Sequence, residues 1–272
     1  MRVSTALERN NVTVTGNPDG PVLLLAHGFG CDQDMWRRLV PYFADDHRVV
    51  VFDHVGAGGS DLSAYDSARY ATLEGYADDV RQICAELDLH DVTFVGHSVS
   101  AMIGVLAAIA EPDRFRDLVL IAPSPSFIDE PETGYVGGFS RADIDELLGS
   151  MDSNYTTWAQ AIAPMVMGNP DRPELGAELE GRFCRTDPDI AREFARVTFT
   201  TDARHALSLV RTPSLVLQCR DDALAPPVVG AYVGEHIPDC TVVQLAATGH
   251  CPHVSAPEET AAAIRARHDH AR

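Results

Sequence analysis

Lysine is absent from this chain of 272 residues, and all 21 of its basic residues are arginine. Schiff-base and pyridoxal chemistry both need a lysine amine, so neither is available here. The 40 acidic residues outnumber the arginines and give a net charge of −19. Because nucleic acids and anionic membrane surfaces bind basic patches, we expect neither of them as a partner.

Long hydrophobic runs and paired cysteines are missing as well. No apolar run reaches the length of about 20 residues that spans a membrane, and the N-terminal sequence lacks the apolar segment of a signal peptide. Six cysteines are scattered without a CxxC pair or a metal-ligand spacing. We therefore expect a cytoplasmic protein with reduced cysteines, without a metal and without a cofactor.

Short apolar runs rich in β-branched residues alternate with helical patterns along most of the chain. Such runs predict an α/β fold, a mostly parallel sheet with helices on both faces. The predicted strands are 12–14, 22–26, 49–53, 92–96, 118–122, 214–218 and 241–245. The predicted helices outside the central stretch are 35–43, 73–87, 99–110, 227–236 and 257–266.

The alternation breaks between residues 124 and 207, where no strand is predicted. Asn-Pro and Asp-Pro pairs punctuate this stretch and indicate helix ends. The predicted helices are 141–152, 155–167, 173–184 and 188–199. We therefore predict a core domain of residues 1–123 and 208–272, and a helical lid domain of residues 124–207 over the strand ends, where such sheets bind ligands.

The most informative motif is Gly96-His97-Ser98-Val99-Ser100, between an apolar strand and an alanine-rich helix. A strained strand-to-helix turn that lifts a serine oxygen clear of the sheet is the nucleophile elbow of α/β-hydrolases. Its usual pattern is G-x-S-x-G, and Ser100 replaces the last glycine here. The alternative role for Ser98 is an ordinary helix N-cap. We predict that Ser98 is the nucleophile and that a neighbouring base activates it.

The expected partners of the serine follow in the chain order Ser, Asp, His that this fold uses. His250 comes after the last predicted strand and directly after Gly249, and is preferred to the nearby His253 as the base. Asp222 follows the preceding strand and would hold the histidine tautomer and stabilise its charged form. The adjacent Asp221 is the alternative acid.

Two backbone N–H groups are expected to face the negative charge that develops during acyl transfer. One is expected from Val99, the residue after the nucleophile. The other is expected from Phe29, within the sequence His27-Gly28-Phe29-Gly30 that follows an early strand. These two groups would form the oxyanion hole.

Several stretches together carry a family resemblance: HGFGCDQDMW, VFDHVGAGGSD, FVGHSVSAMIG, APSPSFID, NYTTWAQAIAP and GHCPHVSAP. With them the chain resembles the RsbQ group of α/β-hydrolases, which includes the plant strigolactone and karrikin receptor hydrolases. The resemblance implies a four-helix lid and the triad Ser98, Asp222 and His250. It also implies a serine hydrolase that cleaves a small hydrophobic ester or lactone, such as a butenolide, through an acyl-enzyme.

The same resemblance implies a second role. RsbQ regulates a stress-response pathway together with a PAS-containing phosphatase, and the plant relatives change lid conformation to recruit partners. The alternative function is therefore a ligand-sensing switch that activates a protein partner such as a PAS-containing phosphatase.

An apolar pocket is expected beneath the lid, because the lid is rich in aromatic residues. An apolar helical stripe by default packs against the core, so only part of these side chains should line the pocket. The family resemblance implies that this pocket includes Phe29, Phe127, Phe139, Trp158 and Phe199. His97, Ile162 and Val197 complete the predicted lining. Ile162 stands where a plant receptor often has a bulkier aromatic residue.

Overall fold

A computed structural model describes residues 4–270 of the chain. Their strands, numbered along the chain, are β1 Thr13–Gly16, β2 Val22–Ala26, β3 Arg48–Phe52, β4 Val92–His97, β5 Phe115–Ile121, β6 Ser214–Asp221 and β7 Cys240–Thr248. They form one sheet in the order β1-β3-β2-β4-β5-β6-β7. Strand β1 is antiparallel to β3, and the other neighbours are parallel. This is the α/β-hydrolase arrangement that the sequence predicts.

Helices cover both faces of the sheet. They are α1 Ala6–Arg9, α2 Leu73–Glu86, α3 Val99–Ala110, α4 Arg141–Ser153, α5 Tyr155–Met167, α6 Pro173–Phe183, α7 Pro188–Thr200, α8 Arg204–Leu207, α9 Pro227–His236, α10 Pro252–Ser255 and α11 Pro257–His270. Leu24 and Ala26 of β2 pack with residues of α2 and α3. Leu23 and Leu25 pack with Trp36 and with residues of α11 on the opposite face. Because both faces of the central strands are buried, strands such as β2 and β3 are continuously apolar instead of alternating, whereas the edge strands β1 and β7 are largely exposed.

The helix predicted over residues 35–43 is wrong in type. Two short 3₁₀ segments, Gln33–Arg38 and Val40–Tyr42, occupy this stretch. Pro41 lies in the second segment, and a proline inside an α-helix removes one hydrogen bond and clashes with the preceding turn. The chain therefore breaks into two tighter turns, which still bury Trp36 against the sheet.

Helices α4 to α7 form an insertion between β5 and β6, where the sequence predicts four helices. Local signals explain their ends. Ser140 forms a capping box at the start of α4, and Asn154 caps the start of α5. Pro173 and Pro188 are the first residues of α6 and α7, a position where the missing N–H does no harm. Gly168 ends α5 in the left-handed conformation.

The insertion has its own apolar cluster, which is separate from the two clusters that flank the sheet. Side chains from α4 to α7 meet Phe127 and Cys31 in it. None of the helices among residues 4–270 has both the length and the apolar character needed to cross a membrane. The insertion therefore packs as a helical layer on the carboxyl ends of the strands, next to the segments that follow β2 and β7.

Candidate active site

The carboxyl ends of neighbouring parallel strands bring the predicted site residues together. Phe29 follows β2, Ser98 follows β4, Asp222 follows β6 and His250 follows β7. These strands are adjacent or nearly adjacent in the sheet. Residues that are far apart in sequence therefore meet at one edge, as expected for a site in an open α/β sheet.

Ser98 lies at the tip of the turn between β4 and α3, with a φ of 56° and a ψ of −122°. A non-glycine residue is rarely found in this left-handed region, and such strain is typical of the nucleophile elbow. The Ser98 hydroxyl oxygen lies 2.8 Å from Nε2 of His250. No side-chain cap bond ties Ser98 to the start of α3, so the alternative of an ordinary N-cap does not describe it.

His250 lies between Ser98 and Asp222. Its Nδ1 lies 2.8 Å from Oδ2 of Asp222. A carboxylate only accepts, so Nδ1 carries the proton and Nε2 is free to accept the hydroxyl hydrogen of Ser98. The other carboxylate oxygen of Asp222 accepts the N–H groups of Leu224 and Ala225 at 2.9 and 3.1 Å. The side chains of His250 and Asp222 are almost completely buried, which fixes the imidazole in one orientation.

The two alternatives considered from the sequence lie elsewhere. His253 is buried behind the site, where its ring packs on Trp36 and His97 with centroid distances of 4.5 Å each. Asp221 is exposed and pairs with Arg220 at 3.2 Å. The structure thus brings His250 and Asp222, and not their neighbours, into one chain of hydrogen bonds with Ser98.

The loop after β2 approaches the elbow closely at Gly28. A Cβ atom added there would lie 2.7 Å from Nδ1 of His97 and 3.3 Å from Cβ of Ser98, so a larger residue would push the loop away. Among the described residues, no hydrogen bond uses the backbone N–H of Phe29 or Val99. Both groups are therefore free to donate to a ligand oxygen near Ser98.

Ser100, which departs from the usual elbow pattern, has a role that the motif did not reveal. Its hydroxyl donates to the backbone carbonyl of His27, and it accepts from Nε2 of His54 at 2.7 Å. The backbone N–H of His54 donates to Nε2 of His27 at 3.1 Å. Burial lowers the pKa of His54 well below its ordinary value, and the nearby His27 lowers it further. A neutral, buried network thus ties the loop after β2 to the elbow.

His97 links the turn that carries Ser98 to the loop that carries His250. Its Nε2 donates to the backbone carbonyl of His250 at 2.8 Å. Burial is the main reason why the pKa of His97 lies well below its ordinary value, and the neighbouring His253 and His250 lower it further. A neutral ring with its proton on Nε2 suits this bond.

A cavity of about 500 Å³, including its opening, lies above Ser98 and His250. Six of the predicted lining residues border it: Phe29, His97, Phe127, Trp158, Ile162 and Phe199. Further residues that the sequence analysis did not assign to the pocket also border it: Cys31, Leu147, Val166, Leu179, Phe183, Thr198, Leu224 and Cys251. The wall is mainly aromatic and aliphatic; its polar side chains are His97, Ser98 and His250 at one side and Thr198 of α7.

Phe139 and Val197 were predicted to line the pocket, and the structure places both outside it. Val197 and Phe194, one helical turn apart on α7, face the sheet-side cluster. Thr198 and Phe199 lie on the face of the same helix that borders the cavity. Phe139 is half-buried at the side of the insertion's cluster, in backbone pairing with the segment around Phe127.

Two cysteines of the cavity wall were missed because apolar cysteines carry no sequence signal for a pocket. Cys31 comes two residues after Phe29, and Cys251 directly follows His250, so proximity to motif residues is the one available clue. Burial raises the pKa of the Cys31 thiol to about 12 and that of Cys251 well above its ordinary value. Cys184, at the end of α6, is exposed.

Fold and site together define a hydrolase of the α/β class. A model of the alpha/beta hydrolase family matches residues 23–263, and the chain belongs to this family. The strigolactone esterase D14 of Arabidopsis thaliana is 40% identical over 266 residues, which cover 97% of this chain and 98% of the relative. The karrikin insensitive 2 receptor CA of Petunia hybrida is 40% identical over 252 residues, 92% of this chain and 92% of the relative.

Among solved structures, a hydrolase from Oleispira antarctica superposes with a TM-score of 0.93. It is 44% identical in sequence, and the match covers 96% of this chain and 95% of that chain. These similarities confirm the resemblance to the plant receptor hydrolases that the motifs indicate. The chain is therefore a hydrolase of the esterase type, related over most of its length to strigolactone and karrikin receptor hydrolases.

Proposed function

We propose that this protein is a serine hydrolase that cleaves a small hydrophobic ester or lactone, such as a butenolide. The observation that carries the proposal is the chain of two 2.8 Å hydrogen bonds from Ser98 through His250 to Asp222. It lies at the floor of an apolar cavity, with two free backbone N–H groups beside it.

In the first step the Ser98 oxygen attacks the acyl carbonyl carbon, while Nε2 of His250 takes the hydroxyl proton. Asp222 stabilises the resulting imidazolium through Nδ1. The carbonyl oxygen becomes negative and is stabilised by the N–H groups of Phe29 and Val99. Collapse of this intermediate breaks the bond to the leaving oxygen, which receives the proton from His250, and leaves an acyl-enzyme on Ser98.

In the second step water takes the place of the leaving group. His250 removes a proton from the water as it attacks the acyl carbon, and returns that proton to Ser98 when the acid product departs. No redox change or cofactor is needed for this sequence of steps.

The cavity supports a compact and largely apolar substrate. Phe29, Phe127, Trp158 and Phe199 border it, and aromatic walls favour burial of a hydrophobic group over a charged one. Ile162 leaves more room than an aromatic residue would at the same place. We also propose that the insertion, residues 124–207, is a lid domain that shields this cavity. Residues 1–123 and 208–272 would then form the core domain, of which residues 1–3, 271 and 272 lie outside the described part.

Hydrolysis of a short-chain nitrophenyl ester and of a fluorogenic butenolide tests the proposal, with Ser98→Ala as the comparison. We expect the wild-type protein to release both reporter groups and the variant to release neither above background. Hydrolysis that survives in Ser98→Ala would exclude Ser98 as the nucleophile. Cleavage of the ester alone would exclude the butenolide part of the proposal.

The second candidate function is a ligand-sensing switch that acts on a partner such as a PAS-containing phosphatase. It is favoured by the position of four helices over the cavity and by relatives that are named receptors. Turnover would then be slow, and the acyl-enzyme would hold the lid in a different arrangement. Hydrogen exchange of α4 to α7 during steady-state turnover separates the candidates: a switch requires changed protection in these helices, and a purely metabolic esterase does not.

A further inference from the structure

The end of helix α5 lies directly on the loop that carries the base. The backbone N–H of His250 donates to the carbonyl of Val166 at 2.8 Å. The hydroxyl of Thr248 donates to the carbonyl of Gly168 at 3.3 Å. The helical insertion therefore does more than cover the cavity, because one of its helices holds the main chain of His250 itself.

Two glycines allow this close approach. Gly168 ends α5 with a φ of 63°, and Gly249 precedes His250 with a φ of 80°. A Cβ on Gly249 would lie 1.8 Å from the carbonyl oxygen of Met167, and a Cβ on Gly168 would lie 2.7 Å from Cα of Gly249. The two backbones are thus in direct contact without side chains between them. A shift of α5 would therefore displace the backbone at Gly249 and His250, because no side chain could change its rotamer to compensate.

Asn169 spans the same contact with its side chain. Its Nδ2 donates to the carbonyls of Met167, at 2.6 Å, and Thr248, at 3.1 Å. Its Oδ1 accepts from Arg172 at 2.6 Å, and Arg172 also donates to the carbonyl of Ser255 at 2.9 Å. One amide therefore joins the last turn of α5 to the strand end before His250.

We propose that Asn169 is a positioning residue for the base, and that through it the placement of helix α5 sets the geometry of His250. The proposal rests on the function proposed above, in which His250 is the base. Displacement of α5 would move the His250 backbone, and with it both ends of the imidazole, away from Ser98 and Asp222. A change in the position of the lid helix α5 would then change the hydrogen bonds that join Ser98, His250 and Asp222.

The replacement Asn169→Asp tests this at nearly constant shape. The carboxylate keeps an acceptor for Arg172 but places an oxygen against the carbonyls of Met167 and Thr248, where the amide has a donor. We expect kcat for the nitrophenyl ester to fall about 10- to 100-fold, the size that small misplacements of a reacting group produce, with KM changed less than about twofold. Asn169→Ala, which removes the link without repulsion, should lie between this variant and the wild type.

Asn154→Asp is the matched control, because it makes the same substitution at the other end of α5. There Oδ1 accepts the backbone N–H of Thr157 at 3.0 Å, and aspartate serves equally well as an N-cap. Its kcat should equal that of the wild type.

Urea unfolding separates positioning from general destabilisation. The lost bonds to Met167 and Thr248 should lower the unfolding midpoint of Asn169→Asp, while the retained partner Arg172 keeps the variant folded under assay conditions. A loss of kcat per folded molecule therefore supports the proposal. Unchanged kcat in Asn169→Asp overturns it, and so does a loss of activity that only parallels a loss of folded protein. Turnover by Ser98→Ala would instead contradict the proposed function itself, so the two failures are distinguishable.

Discussion

Asp222 uses its two carboxylate oxygens for different partners. Oδ2 faces His250, and Oδ1 accepts the backbone N–H groups of Leu224 and Ala225. The latter bonds need an acceptor, so an asparagine at this position would turn its oxygen toward them. Its amino group would then face Nδ1 of His250 and force the proton of the ring onto Nε2, where it blocks acceptance from Ser98.

We therefore expect Asp222→Asn to lower kcat by about 10⁴-fold while the protein stays folded. Steady-state hydrolysis of a nitrophenyl ester measures the loss. The control is Asp221→Asn, which alters an exposed ion pair with Arg220 and should leave kcat unchanged. Equal effects of the two substitutions would contradict the assignment of Asp222.

Thr198 differs from its neighbours on α7. The hydroxyls of Thr200 and Thr201 donate to the carbonyls of Arg196 and Val197, at 2.7 and 2.6 Å. The buried hydroxyl of Thr198 has no partner among the described residues, and Thr198 borders the cavity. An unsatisfied buried polar group is destabilising by about 1 to 3 kcal/mol.

Thr198→Val should therefore raise the free energy of unfolding by about 1 kcal/mol, because it removes an unpaired hydroxyl at nearly constant volume. It should also lower kcat/KM for a substrate with a second oxygen that this hydroxyl binds. Thr201→Val, which breaks an existing hydrogen bond, should lower the free energy of unfolding. Urea titration of both variants measures whether the free energy of unfolding rises or falls. A fall in Thr198→Val would mean that the Thr198 hydroxyl has a partner in the folded wild-type protein.

Ion pairs join helix α6 to residues 32–38, which follow the loop after β2. The guanidinium of Arg182, whose side chain is 4% exposed, binds the carboxylates of Asp32, Asp34 and Glu178. Glu178 also binds Arg37 and Arg38 at 2.5 and 2.9 Å. The hydrogen bond from Arg37 is the main reason why the pKa of Glu178 is lowered to about 2. Removal of the Arg182 guanidinium would leave Asp32 with only its exposed partner Arg185, while Glu178 would keep Arg37 and Arg38.

We expect Arg182→Met to lower the free energy of unfolding by about 1.5 to 3 kcal/mol, the size of a lost hydrogen bond to a charged group, measured by urea titration. Arg185→Ala provides the control, since Arg185 is 63% exposed and pairs with Asp32 at the surface. Its effect should stay within about 0.5 kcal/mol. If both substitutions had the same small effect, the cluster would not fasten α6.

Element types were predictable where the apolar pattern is long and its ends carry caps. The bounds of β2, α3, α5 and α9 agree with those predicted, since proline, asparagine or glycine marks many of these ends. The short helices α1, α8 and α10 were not predicted, because a single turn is too brief for a 3.6-residue period to show. Pro41 explains the error over residues 35–43.

The site was predictable where chemistry restricts residue type, and less so where only apolar character is required. Ser98, Asp222 and His250 follow from motif and order, and the structure brings them together. Thr198 and Val197 are neighbours on one helix, and only the packed structure decides which of them faces the cavity. The hydrogen bonds from Asn169 to Thr248 and between Ser100 and His54 join segments that are far apart in the chain. Neither segment has a local sequence pattern that predicts its partner.

Four fully buried histidines make the stability of the whole molecule sensitive to acid. Burial lowers the pKa of His27, His54 and His97, and that of His253 to about 3. In the unfolded chain each titrates near 6.5. Below that pH the unfolded chain binds protons that the folded chain does not, so stability falls as the pH decreases.

We expect the free energy of unfolding to be greatest between about pH 7 and 8, since buried thiols with a raised pKa lower it at higher pH, and to fall from about pH 6.5 downward. Each buried histidine contributes a slope of up to about 1.4 kcal/mol per pH unit. Urea titrations between pH 8 and 5.5 measure the slope above the range where most carboxylates titrate. His253→Phe should make it shallower, and replacement of the exposed His90 by glutamine should not change it. A flat profile would mean that the buried rings accept protons in the folded state.

The distribution of thiols would allow the opening of the proposed lid to be timed in the unaltered chain. Cys184 is open to solvent, whereas Cys31 and Cys251 are enclosed in the cavity wall. A maleimide reacts with accessible thiolate, so Cys184 should be alkylated first. Cys31 and Cys251 should follow only as often as α5 and α6 lift away from the core. Peptide mapping over time would give that frequency without an engineered label, and a changed lag after Ser98 is acylated would show that the chemical step reaches the lid.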